Sequence, residues 1–121
     1  MILVDSSVWI DHLRSKDSLL VGLLNDAQIL AHPFVIGELA LGSLARRDLV
    51  LGALRDLPQA ASAKDEEVFA FIEQHSLFGL GIGYVDAHLL AATLLSGAQL
   101  WTRDRRLREV AQRLRIAAEQ T

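Results

Sequence analysis

The chain has 121 residues, 51% of them apolar and 22% charged, and it contains no cysteine. That length holds one domain, residues 1–121, and that composition can bury enough surface to exclude disorder. Without cysteine there is no disulfide framework and no cysteine-based zinc or iron–sulfur site. The net charge is −3, unevenly spread: residues 1–100 carry 6 basic and 12 acidic side chains, residues 101–121 carry 6 and 3. The late basic residues are all arginine, at 103, 105, 106, 108, 113 and 115. A mildly acidic whole with a local arginine patch is compatible with guiding a phosphate backbone.

Ile2-Leu3-Val4 is a short apolar run ending in Asp5-Ser6-Ser7, the pattern of a buried strand feeding a helix. The start has no basic region before its apolar run, so it does not read as a signal peptide. A helix is expected over Ser18 to Asn25, then a strand over Gln28 to Ala31. Pro33 suits the first turn of the next helix. Another helix is expected over Ser43 to Leu57, a weak strand over Gln59 to Ala63, and an amphipathic helix over Lys64 to His75. A glycine-rich loop spans Leu77 to Gly83. An apolar helix from Tyr84 to Ser96 stops at Gly97. Ala98 to Thr102 reads as a strand, Asp104 opens the last helix, and Arg115 to Ala118 suits a small edge strand. The charge-poor stretch from Leu77 to Thr102 holds Asp86 and four glycines, so it reads as core and not as a membrane span. Strands alternating with helices imply a small α/β sandwich around a parallel sheet of four to five strands covered on both faces.

Four acids stand out. Asp5 and Asp104 follow strands, and ligands of open parallel sheets gather at the carboxyl ends of strands. Glu38 falls on a helical stripe with Phe34, Val35, Leu41 and Gly42. Asp86 shares one with Ile82, Leu89, Leu90 and Thr93. A carboxylate on an apolar face is costly unless paired, hydrogen-bonded or bound to a cation. Each also has a structural explanation: Asp5, Asp86 and Asp104 suit helix caps, and Glu38 an arginine partner. If the four meet, their repulsion calls for a hard cation such as Mg²⁺ or Mn²⁺. Such an ion would support hydrolysis of a phosphodiester. Ser6 and Thr102, beside the two rim acids, are placed to steady ligands or metal-bound water. Arg103, Arg105 and Arg106 flank Asp104 and suit phosphate contacts, or else a solvated helix face. The histidines lack metal-ligand spacing and suit structural roles, with His12 and His88 as candidates for contacts near the site.

The opening Met1-Ile-Leu-Val-Asp5-Ser-Ser-Val-Trp-Ile-Asp11 resembles that of PIN-domain ribonucleases. Gly37-Glu38-Leu39, Tyr84-Val85-Asp86-Ala87 and Thr102-Arg103-Asp104 resemble the other acidic motifs of that family, in order. Over essentially its whole length the chain is most similar to the VapC toxins of type II toxin–antitoxin pairs, including the FitB-like branch. The resemblance implies a PIN-like three-layer α/β/α sandwich and a cytoplasmic Mg²⁺- or Mn²⁺-dependent endoribonuclease acting on structured cellular RNA. It implies Asp5, Glu38, Asp86 and Asp104 as the acidic quartet, with Asp5, Asp86 and Asp104 as metal ligands. It further implies a homodimer and a VapB-type antitoxin, which would assemble into a heterotetramer or larger. Many relatives carry a further acid shortly after the one matched by Asp104, where this chain has Arg105 and Arg106.

Other functions fit less well. A phosphotransfer receiver needs a late lysine, and no lysine follows Lys64. A haloacid-dehalogenase-type phosphatase needs Asp-x-Asp, which Asp5-Ser6-Ser7 does not supply. A non-catalytic module binding RNA or a partner on a PIN-like scaffold is the alternative from another class.

Overall fold

A computed structural model describes residues 1–119, so residues 120 and 121 of the expected domain lie outside the described residues. The elements run β1 (Ile2–Val4), α1 (Ser6–Arg14), α2 (Ser18–Asn25), β2 (Ile29–Leu30), α3 (Pro33–Ala40), α4 (Arg47–Asp56), α5 (Asp65–Gln74), α6 (Tyr84–Leu95), β3 (Gln99–Trp101) and α7 (Arg105–Arg113). The three strands form a parallel sheet in the order β2-β1-β3. β1 is central, with Leu3 opposite both Leu30 and Leu100. Successive strand residues point to opposite faces. All three residues of β1 are buried, so both faces of the sheet are covered.

The sheet has three strands where four to five were expected. The two further segments each contribute a single parallel bridge at an outer edge, Ala31 with Gln59 and Leu100 with Ala117. The reason is local. Pro58 has no N–H to extend the first bridge backwards, and the amide of Ala61 turns away to the Ser96 hydroxyl. At the other edge Arg115 has a left-handed backbone, φ 61°, which ends extended pairing just before the bridge. Helix α4 starts later than expected because Arg46 also has a left-handed φ, 53°.

Helix α6 is the buried centre of the helical layers. Every residue from Ala87 to Thr93 is buried, which accounts for the weak one-sided pattern of that segment. Leu89 and Leu90 are fully enclosed, and α6 packs on α5 and on β3. Helix α7 is the opposite case: Leu107, Val110 and Ala111 face inward and its arginines lie elsewhere. This pins the amino ends of α1, α6 and α7, and the flank of α3, around the carboxyl end of β1 and β3.

Candidate active site

Asp5 follows β1 directly, and its amide donates to the carbonyl of Trp101 at 2.9 Å, extending the β1–β3 pairing by one residue. Asp5 stands at the cap position of α1, yet its side chain caps nothing. Its Oδ2 instead accepts from Thr102 Oγ1 at 2.8 Å and from Ser7 Oγ at 2.8 Å. Its Oδ1 has no protein donor among the described residues. The residue is 6% exposed. Two hydroxyls thus hold one oxygen of a buried carboxylate, and the other is left for a further partner.

Asp104 follows β3 at the same rim. The amide of Asp104 donates to Thr102 Oγ1 at 3.1 Å, so one hydroxyl links the two rim acids. Here the cap reading is realised, since Asp104 Oδ1 accepts from the amide of Leu107 at 2.9 Å. Asp86 also serves its own helix, with Oδ2 accepting from the amide of Gly83 at 3.0 Å. Glu38 has no arginine partner among the described residues. Its Oε1 accepts a long hydrogen bond, 3.4 Å, from Ser6.

Electrostatics ties the four together. Glu38 is pushed above the usual carboxylate range, first by lost solvation and then by the charges of Asp5 and Asp86. Asp86 is also raised, first by lost solvation and further by Asp5 and Asp104, against the lowering effect of the Gly83 amide. Asp5, Glu38, Asp86 and Asp104 therefore share one field of negative charge. Among the described residues, no three carboxylates or imidazoles stand close enough together to hold a metal ion between them. The donor set is all-oxygen and suits a hard cation that keeps several of its own waters.

Of the flanking residues, Thr102 is the most deeply involved, and Ser6 contacts Glu38 and not Asp5. Ser7 plays a larger part than the sequence suggested: it donates to Asp5 and accepts the amide of Arg103 at 3.0 Å. The Ser-Ser pair after a carboxylate was the available signal, but not which of the two would turn inward.

The three expected phosphate contacts separate. Arg103 Nη1 pairs with Asp11 at 2.7 Å and its Nη2 with Asp17 at 2.6 Å. These bonds hold the Arg103 guanidinium above its ordinary value and bind the loop after β3 to α1 and to the turn before α2. It serves as an internal fastener between these elements. Arg105 is exposed and reaches Glu109 at 3.3 Å along its own helix. Arg106 has no ion-pair partner among the described residues.

Among the described residues, no histidine ring hydrogen-bonds to any of the four acids. His12 Nδ1 accepts the amide of Asp17, and buried His88 contacts Asp65 at 2.9 Å. Asp65, which sequence reasoning passed over, also accepts from the Tyr84 hydroxyl, fastening the start of α6 to α5.

The PIN domain family matches residues 2–113. The chain is 51% identical over 109 residues to ribonuclease VapC32 of Mycobacterium tuberculosis, in two strains, covering 89% of this chain and 88% of the relative. Its backbone is similar to the crystal structure of PAE2754 from Pyrobaculum aerophilum, with a TM-score of 0.58 and 18% identity, covering 94% of this chain and 88% of that one. That second likeness concerns the fold alone. A family match over nearly all the chain, with half the residues identical to a VapC protein, shows that the chain belongs to the PIN-domain family and to its VapC group.

Proposed function

We propose that this chain is a metal-dependent endoribonuclease, the toxin of a toxin–antitoxin pair, that hydrolyses phosphodiester bonds in structured RNA. The observation that carries the reading is the state of Asp5. A buried acid at a cap position leaves its helix uncapped and is held by Thr102 and Ser7, within the field of three further acids.

In this reading Asp5, Asp86 and Asp104 would hold Mg²⁺ or Mn²⁺, and Glu38 would complete the quartet. When bound, such a cation would supply water activation and charge stabilisation at the phosphodiester. Thr102 and Ser7 orient Asp5, and Asp104 is set by its bond to the Leu107 amide. Raised Glu38 is suited to taking a proton from a water beside the scissile phosphate. The exposed apolar side chains of α1 and the α3–α4 turn, Ile10, Leu13 and Leu41, would seat a VapB-type antitoxin. A homodimer is part of the same proposal. No helix of the described residues is long and apolar enough to cross a membrane.

The test is cleavage of total cellular RNA by purified protein freed of antitoxin, titrated with Mg²⁺ and Mn²⁺, with a chelator control. Discrete fragments that need the cation and vanish in Asp5→Asn and Asp86→Asn support the reading. Folded protein that cleaves nothing at any cation concentration overturns it in favour of a binding module.

A further inference from the structure

The glycine-rich loop between α5 and α6 has a role that the acidic quartet does not explain. Gly79 and Gly81 both have left-handed backbones, φ 73° and 78°. Their surroundings differ. A Cβ on Gly79 would meet nothing within 4 Å. A Cβ on Gly81 would lie 2.8 Å from Cδ of Arg106, 3.1 Å from Cζ, and closer still to Nη1. The Arg106 side chain therefore lies flat across the bare face of Gly81, in space that any other residue would fill.

The guanidinium so placed has no carboxylate within ion-pair distance among the described residues. It borders an open hollow of about 520 Å³ lined by Gly81, Asp104, Arg105, Arg106 and Glu109. Arg105 is matched there by Glu109, and Asp104 Oδ1 is taken by the Leu107 amide. Arg106 is the one cation of the hollow without a partner among the described residues. It is also at the second position of α7, where a positive side chain opposes the helix dipole. An unpaired cation held flat in an unfavourable field, beside an acid of the active rim, fits an incoming anion.

We propose that Gly81 is a positioning residue that holds Arg106 as a clamp for an RNA backbone phosphate next to the acidic rim. This rests on the ribonuclease reading. The guanidinium fork matches two phosphate oxygens. Gly81 contributes by lacking a side chain, which lets the arginine lie low enough to face the hollow.

The two glycines supply the control. Gly79→Ala and Gly81→Ala carry the same backbone strain, but only Gly81→Ala displaces Arg106. Affinity for end-labelled bulk tRNA is measured in Mg²⁺ on an Asp5→Asn background, and thermal midpoints are recorded for all variants. Arg106→Gln is expected to weaken binding by roughly 10-fold, the effect of one lost charge-assisted bond, and to flatten the salt dependence by about 0.7 in slope. Gly81→Ala should reproduce most of that loss, and Gly79→Ala none, at matching thermal midpoints. Gly81→Ala added to Arg106→Gln should change nothing further. In the active protein, Gly81→Ala should raise KM with little change in kcat.

Equal affinities for Gly79→Ala and Gly81→Ala overturn the proposal, as does a full Gly81→Ala loss that persists without Arg106. Either result leaves the ribonuclease reading standing, provided the unaltered protein cleaves RNA in Mg²⁺. If it does not, the reading and the clamp fall together.

Discussion

The two pairs of acids around the rim are held in different ways. Asp5 and Asp104 belong to the sheet: they follow paired strands and are linked through the hydroxyl of Thr102. Glu38 and Asp86 belong to the helices. Both are raised by lost solvation and by neighbouring charge. The strand pair is thus stabilised where it stands, and the helix pair is held there against repulsion. The lesson is that a site of like charges needs a rigid half, made by backbone pairing and hydroxyls, before a repelled half can be brought against it. A cation entering between them would relieve mainly the second half.

The rigid half should break most severely. Asp5→Asn is expected to abolish RNA cleavage, beyond the ~10–100-fold that partners of metal ligands carry, while circular dichroism stays native. Residual cleavage within 10-fold of the unaltered protein would remove Asp5 from the chemistry. Thr102→Val keeps shape and removes the hydroxyl that serves both rim acids. Activity should fall by about 10–100-fold, with about 1–2 kcal/mol of stability lost in denaturant unfolding. Unchanged activity would show that Ser7 alone orients Asp5.

Arg103 gives a smaller effect of another kind. Its fork bridges Asp11 and Asp17, and its side chain is 28% exposed. Arg103→Ala should cost about 1–2 kcal/mol and weaken RNA binding less than Arg106→Gln. A loss of RNA affinity with no loss of stability would return Arg103 to the role its sequence position suggested.

Much of this was readable from the chain, and the rest failed for definite reasons. Three apolar residues run straight into Asp5, and Leu100-Trp101 lead through Thr102 and Arg103 to Asp104; both acids were legible at strand ends because strand burial and helix starts are local patterns. The helical stripes of Glu38 and Asp86 are local in the same way. The fate of Arg103 is not: its partners lie 92 and 86 residues earlier, and no periodicity announces them. Ser7 and Ser6 differ only in how α1 rotates after Asp5, which the packing of Val8 and Trp9 decides. The outer strands shrank to single bridges because one backbone proton is missing at Pro58 and one dihedral turns at Arg115. The space above Gly81 is legible only once Arg106 lies in it.

The gentlest test acts on the repelled half. Glu38 binds its proton more readily in the folded protein than its ordinary value of 4.5 allows. Folding is therefore favoured as pH falls through the raised value, and that advantage is lost as pH rises through it. At neutral pH the ionised group opposes the fold, so Glu38→Gln should stabilise metal-free protein. The group is exposed, so solvent screens the effect to a few tenths of a kcal/mol. The gain should shrink as pH falls below the raised value, where the native carboxyl is already neutral. Adding Mn²⁺ at neutral pH should raise the thermal midpoint of the unaltered protein more than that of the variant, because only the former has that repulsion to relieve. Thermal midpoints from pH 4 to 8, with and without Mn²⁺, decide it. A variant less stable at neutral pH would mean that the Ser6 contact outweighs the repulsion, and the division into a rigid and a repelled half would fail at Glu38.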